Sequence, residues 1–388
     1  MTFDFDTEID RRAVPALKHH KMVLGEGGVG LFAAGVADMD FAVAPAITEA
    51  LARRLGHPVF GYEAFPEDLL PALCGWMQTR HGWAPEPGQI LRAPNALNAL
   101  AIALVTQTAP GDGVIVQPPV FFDFFDIIRE GGRRVVENPL VEADGRYEMD
   151  FEDLEAKAAD PGTRLLMLCN PHNPVGRVWT RAELLRLAEI CARHDVLIVS
   201  DELHGDLTFP GHPYTPFASL GPEAAAGSIT ILSPAKSFNI AGCCSAFTLV
   251  PDPDRRARVQ TENSRLTVNK NNAFANVAML AAYGQAGLWL DAALAYLAGN
   301  ARLVTDRIGA MPSVTTRLPE GTFLMWLDFR AHELDPAALH RFLREEAGWA
   351  VTRGVSFGAQ GAGFARLNIA CPRARLDRAL DRLAQALA

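Results

Sequence analysis

Hydrophobic residues in this chain fall into two kinds of run. One kind is short, continuous and rich in β-branched side chains: residues 114–116, 133–136, 165–169, 196–200 and 229–232. The other spaces its apolar positions at helical intervals, as at 47–55 after Pro45, 69–81, 122–130, 151–158 and 181–194. Residues 96–108 belong to this second kind, with Leu97, Leu100, Ala101 and Leu104 on one face. From residue 96 onward the two kinds alternate, which predicts an α/β fold with a mostly parallel sheet wrapped by helices. Residues 288–311 predict a long helix leading out of this unit. The remainder reads as a smaller α+β unit: a strand at 323–328, a helix at 336–347 capped by Asp335 with proline at its first position, and a helix at 373–388. The expected division is a large domain over 46–285, with 1–45 and 286–388 forming a small one. Within the irregular first 45 residues, the Gly25–Gly30 stretch is a loop without the preceding strand that a dinucleotide fingerprint requires.

Composition narrows the function class. The chain has 388 residues, 49% hydrophobic and 21% charged, as in a globular enzyme, which excludes a disordered or fibrous protein. A net charge of −9 without a Lys/Arg block points away from nucleic acid and anionic membrane as partners. No apolar run reaches bilayer length, and the acidic start Met1–Asp10 lacks a signal-peptide core, so a cytoplasmic location is expected. Six cysteines show neither Cys-x-x-Cys spacing nor histidines at metal-ligand intervals. They read as small core residues in a reducing compartment, and no metal is expected.

The polar residues that carry chemistry sit just past strand ends, where α/β sheets bind ligands. The run 229–232 ends in Ser233-Pro234-Ala235-Lys236; the run 196–200 enters Asp201-Glu202-Leu203-His204; the run 165–169 enters Asn170-Pro171-His172-Asn173. Singly these are ordinary: a surface lysine, a helix cap, a turn. Together they are the parts that hold pyridoxal phosphate, the lysine as its Schiff-base partner and the aspartate against the pyridinium nitrogen.

Further motifs extend the pattern: Val36-Ala37-Asp38-Met39-Asp40-Phe41, Phe60-Gly61-Tyr62, residues 111–120 ending Gln-Pro-Pro-Val, residues 170–180, residues 200–207, Lys236-Ser-Phe-Asn-Ile-Ala-Gly242, residues 319–328 and residues 363–373. In these motifs, in order along nearly the whole chain, it resembles the fold-type I pyridoxal-phosphate enzymes of the class I/II aminotransferase superfamily. More narrowly it is similar to the MalY/PatB branch of cystathionine β-lyases and cysteine-conjugate C–S lyases. The resemblance implies that Lys236 carries the cofactor and moves the Cα proton, Asp201 keeps the ring nitrogen protonated, and Asn173 donates to the phenolate oxygen. Phe121 covers the ring. The phosphate lies at the helix start around Asn95, Ala96 and Leu97, with Ser233 adding a bond and Tyr62 arriving from a second copy of the chain, in a homodimer. Asn170 and His204 belong to the cofactor-binding set. Arg366 grips the α-carboxylate of an amino-acid substrate, with Asn173, Val36 and Asp38 at the same end. Four positions depart from the branch: Phe121 stands where tyrosine is usual, Ala235 where Ser or Thr precedes the lysine, Asn95 where glycine is common, and Gly35 where tryptophan often stands. Asn95 is expected to keep a left-handed turn, and Gly35 to open the substrate side. The implied activity is β-elimination from a cysteine S-conjugate. The alternatives are an aminotransferase, which shares the early steps, and a cofactor-binding regulator with little activity.

Overall fold

The computed structural model describes residues 3–25, 27–143 and 145–388. Met1 and Thr2, at the head of the acidic start, and Glu26, inside the expected Gly25–Gly30 loop, lie outside the described residues.

Seven strands make the central sheet: β1 (Ile90–Ala93), β2 (Gly113–Val116), β3 (Arg134–Glu137), β4 (Thr163–Cys169), β5 (Leu197–Asp201), β6 (Ser228–Leu232) and β7 (Ala246–Leu249). Their spatial order is β1-β7-β6-β5-β4-β2-β3. Only β7 runs against the rest, pairing antiparallel with β1 and β6. The inner parallel strands β2, β5 and β6 are buried from end to end, and so is β4 apart from Arg164, because helices cover both faces; the edge strand β3 is only partly buried. The expected alternation therefore holds. Strands β1 and β7, of four residues each, are not among the expected runs. Nor are two helices, Pro253–Arg265 and Ala273–Gln285.

Local chemistry explains where the helices begin. Thr180 and Glu183 form a capping box that starts Arg181–Arg193, and Asp150 accepts from Glu152 and Asp153 to start Phe151–Ala158. Asp335 caps the helix beginning at Pro336 as expected, but that helix is shorter. It ends at Arg341 and widens into a π-turn over Phe342–Glu346.

The long helix Gly287–Gly309 leads to a second, four-stranded antiparallel sheet. Its strands are β8 (Thr315–Thr316), β9 (Leu324–Asp328), β10 (Thr352–Arg353) and β11 (Phe364–Asn368), in the order β8-β9-β11-β10. Among the described residues no single helix is long and apolar enough to cross a membrane. The bent pair Ala273–Gln285 and Gly287–Gly309 passes that test only jointly, and its Met279, Trp289, Leu290 and Leu297 lie in the core.

The two sheets meet through loops that also carry motifs. Gly176 accepts backbone hydrogen bonds from Glu320 (2.9 Å) and Gly321 (3.0 Å), and Arg177 Nε donates to Glu320 at 2.9 Å. Gly176 has a φ of +72°, and a Cβ there would lie 2.6 Å from that of Pro319. Only glycine permits this approach. The N-terminal segment joins the same unit, because Phe32–Ala33 pairs with Trp349–Ala350.

Candidate active site

A cavity of about 1110 Å³ lies beyond the carboxyl ends of β5 and β6. Its walls bring together Asn95, Ala96, Leu97, Phe121, Asp201, Ser233, Lys236, Val36 and Arg366, residues that lie far apart in the sequence.

Lys236 follows the turn after β6. Its Nζ donates to the carbonyl of Ala37 at 2.6 Å. Burial, then the nearby Arg366 charge, lower its pKa below the usual lysine value, which favours the neutral amine a nucleophile and base must be. The turn itself is clamped from behind. Asp206 accepts from Ser237 Oγ (2.8 Å) and Trp76 Nε1 (2.9 Å) and pairs with His81 Nε2 (2.8 Å).

Asp201 ends β5 with its side chain buried. It accepts from the Leu203 amide at 3.2 Å, and burial pushes its carboxyl up to about 6. A carboxylate held in so dry a place favours a cationic N–H as its partner.

The helix Ala96–Gln107 points its N-terminus at the cavity. Asn95 Oδ1 accepts from the Asn98 amide at 2.8 Å and caps it, leaving the first-turn amides of Ala96 and Leu97 with no partner inside the helix. Such an end binds anions. The expected left-handed turn at Asn95 is corrected: φ −160° and ψ 173° are extended, because the residue works as an N-cap. Ser233 Oγ, facing the same cavity, donates to the Ser245 carbonyl at 2.9 Å and accepts from Ala235 N.

Arg366 lies mid-strand in β11, only 2% exposed. Its Nη1 donates to Asn173 Oδ1 (2.9 Å), and its Nη2 donates to the Gly35 carbonyl (2.7 Å) and Thr352 Oγ1 (3.2 Å). The guanidinium lies 4.9 Å from the Phe357 ring centre. Among the described residues Nε has no partner and no carboxylate pairs with this charge. Burial lowers its pKa to about 9. A buried, uncompensated guanidinium at a cavity wall is a carboxylate receptor.

The remaining expected site residues lie elsewhere. Asn173 is buried and reaches the site through Arg366. Asn170 is fully buried, its Nδ2 donating to the Thr215 carbonyl at 3.2 Å. His204 is buried edge-on to Phe323, and burial depresses its pKa to about 3, so it stays neutral. Asp38 pairs with Arg11 (2.7 Å) and Lys18 (2.9 Å), away from the cavity wall. Asp40 joins the same cluster, and Asn239 and Asn368 hold the neighbouring carbonyls. This network sets the strap 36–41 that carries the Ala37 carbonyl to Lys236. Tyr62 is fully exposed on this chain. The sequence reading missed the wall formed by Leu17, Met22, Val23 and Leu24, and it missed Asp123, Cys244 and Thr352. Asp123 lies two residues after Phe121, which was the available signal.

With this geometry in view, the similarity to known proteins is extensive. A model of the family "Aminotransferase class I and II" matches residues 31–383. Cystathionine beta-lyase PatB of Bacillus subtilis is 41% identical over 99% of this chain and 100% of its own length. Protein MalY of Escherichia coli is 34% identical over 99% of both. The crystal structure of cystalysin from Treponema denticola, which contains a pyridoxal 5'-phosphate cofactor, superposes with a TM-score of 0.96 at 35% identity, covering 100% of this chain and 99% of that one.

Proposed function

The chain belongs to the aminotransferase class I and II family, and from that premise we propose that it is a pyridoxal-phosphate-dependent C–S β-lyase. It converts a cysteine S-conjugate and water into a thiol, pyruvate and ammonium. The observation that carries this reading is the pairing of Arg366, buried without a carboxylate, with Lys236 in one cavity. Full-length similarity to a cystathionine β-lyase directs it to C–S cleavage.

The residues present fit the cofactor. Asp201 offers a dry carboxylate for a protonated ring nitrogen, the start of helix Ala96–Gln107 offers amides for a phosphate, and Phe121 offers an aromatic wall. Lys236 is the amine that would hold it covalently, with Asn173 and Ser233 alongside. When bound, pyridoxal phosphate supplies an electron-poor ring that accepts the electron pair left on Cα.

The chain's own groups do the rest. Arg366 takes the substrate carboxylate and fixes which Cα bond faces Lys236. Lys236 removes the Cα proton, helped by a pKa already lowered. The Cβ–S bond breaks, the electron pair leaves with sulfur, and the ammonium of Lys236 is placed to return a proton. The test is to incubate the holoenzyme with a panel of S-substituted cysteines and measure free thiol. Persistence of every conjugate would remove the proposal. Phe121, which lacks the usual phenol, favours the aminotransferase as a second reading.

Asp201 also sets a pH dependence. Its folded pKa, about 6, lies above its ordinary 3.8. Protonated Asp201 therefore favours the folded state. That stability is present below about 4 and is lost as pH rises through about 6. Each pKa unit is ~1.4 kcal/mol, so its share reaches ~3 kcal/mol. Asp201→Asn should flatten this part of the profile in urea unfolding of cofactor-free protein between pH 4 and 7, and should also slow turnover by ~100-fold or more. Glu202, pushed up to about 7 by burial, contributes with the same sign and remains in the variant.

The proposal includes a homodimer in which Tyr62 completes the phosphate site of the second copy. Tyr62, Phe60 and Val59 are exposed together on this chain, as an interface requires. Mixing inactive Lys236→Ala chains with inactive Tyr62→Ala chains should restore part of the activity. Mixtures as inactive as either parent would contradict the shared site. The reading also includes the cytoplasm as location, in keeping with six free cysteines, and a large cofactor domain over 46–285 joined to a small one built from both ends of the chain.

A further inference from the structure

Among the described residues lining the cavity there are two carboxylates, Asp201 and Asp123. Asp201 lies at the end of a central strand, where the ring nitrogen is held. Asp123 has no such assignment. It begins the helix Asp123–Glu130, directly after Phe121 and Phe122. An acid in a first turn commonly serves the helix, by capping it or by facing its dipole. Here it makes no capping hydrogen bond, and among the described residues its carboxylate has neither a hydrogen-bond nor a salt-bridge partner. It is half-buried; burial and then the neighbouring Asp126 raise its pKa, while the charges of Lys236 and Arg366 pull the other way. It therefore stands near the groups that fix the substrate's amino and carboxylate ends, yet is used by neither.

We propose that Asp123 is a specificity-determining residue: its carboxylate receives a cationic group on the sulfur substituent, so that the preferred conjugates carry an organic cation on the leaving thiol. The inference rests on the C–S lyase reading. Phe121 and Phe122, with ring centres 5.1 Å apart, stand beside the carboxylate, and aromatic rings add to its attraction for a cation. The rest of the wall sharpens the prediction. Arg344 and Arg353 line the same cavity and would draw an anion instead, whereas burial lowers the pKa of His340 and keeps it neutral. Arg344 donates to the Leu24 carbonyl, and Arg353 is exposed, where solvent and salt weaken its field. The partly buried Asp123 is screened less.

The experiment compares S-(2-aminoethyl)cysteine with S-propylcysteine, which match in length and differ in charge, on the holoenzyme. The ratio of their kcat/KM values should be ~10 or more in the natural chain and should fall to about 1 in Asp123→Asn, while Asp123→Glu retains most of it. Being internal to each preparation, the ratio is insensitive to a loss of folded protein. An unchanged ratio in Asp123→Asn, or a natural preference for the neutral compound, would overturn the proposal. If neither compound nor any other S-substituted cysteine yields pyruvate, the lyase reading fails instead. The same ratio is then read from dissociation constants, by titrating each amino acid against the cofactor's absorbance, and it supports or overturns the role of Asp123 by the same criterion.

Discussion

Lys236→Ala should leave a folded protein whose turnover is down by ~10⁴-fold or more. The side chain is asked to do two things, hold the cofactor and carry the Cα proton, and nothing in the cavity replaces it. Cys244, the neighbouring nucleophile, has its thiol pushed up by burial and so stays protonated. Asp201 is fixed at the strand end. Borohydride reduction of the holoenzyme followed by peptide mapping should place the label on Lys236, in the peptide that continues Ser237-Phe238-Asn239. A label on Lys18 or Lys270, or wild-type turnover in Lys236→Ala, would refute the assignment.

Arg366→Leu should lower kcat/KM by ~10²–10³-fold, mostly through KM. The expectation follows from burial: the guanidinium is held by Asn173, Gly35 and Thr352, and its remaining capacity faces the cavity. Removing it takes away a charge-assisted, two-pronged grip on the α-carboxylate. Arg366→Lys should recover little, because an ammonium cannot make the fork. Cofactor content, read from absorbance, should stay near that of the natural chain in both variants. Steady-state kinetics with unchanged KM would remove Arg366 from substrate binding.

How much of this was legible in the sequence depended on distance along the chain. Lys236, Asp201 and the Asn170–Asn173 loop were visible because each follows its own apolar run, and strand ends in a parallel sheet converge on one edge. The inner parallel strands β2, β4, β5 and β6 were visible because burial on both faces makes them nearly continuous apolar runs. The antiparallel β7, Ala246-Phe247-Thr248-Leu249, was not. The second group of site features is set by contacts between remote segments. The carbonyl of Ala37 reaches Lys236 across 199 positions, and that of Gly35 reaches Arg366 across 331. A backbone carbonyl has no residue signature, so no motif announces it. The wall formed by Leu17, Met22, Val23 and Leu24 was hidden likewise, because its helical turns, Leu17–His19 and Lys21–Leu24, are three and four residues long, too short to show a period. Asn170 and His204 show the converse. They sit in the motif but are buried and off the cavity wall, Asn170 on the Thr215 carbonyl and His204 edge-on to Phe323.

In the lyase reading the substrate breaks at the C–S bond and the enzyme returns unchanged. The direct test is to give the holoenzyme a hundredfold excess of an S-substituted cysteine with no 2-oxo acid present, and to quantify thiol, pyruvate and ammonium together. A lyase releases all three in equal amounts over many turnovers. One equivalent of a sulfur-containing 2-oxo acid per active site, followed by arrest until an acceptor is added, would make this chain an aminotransferase.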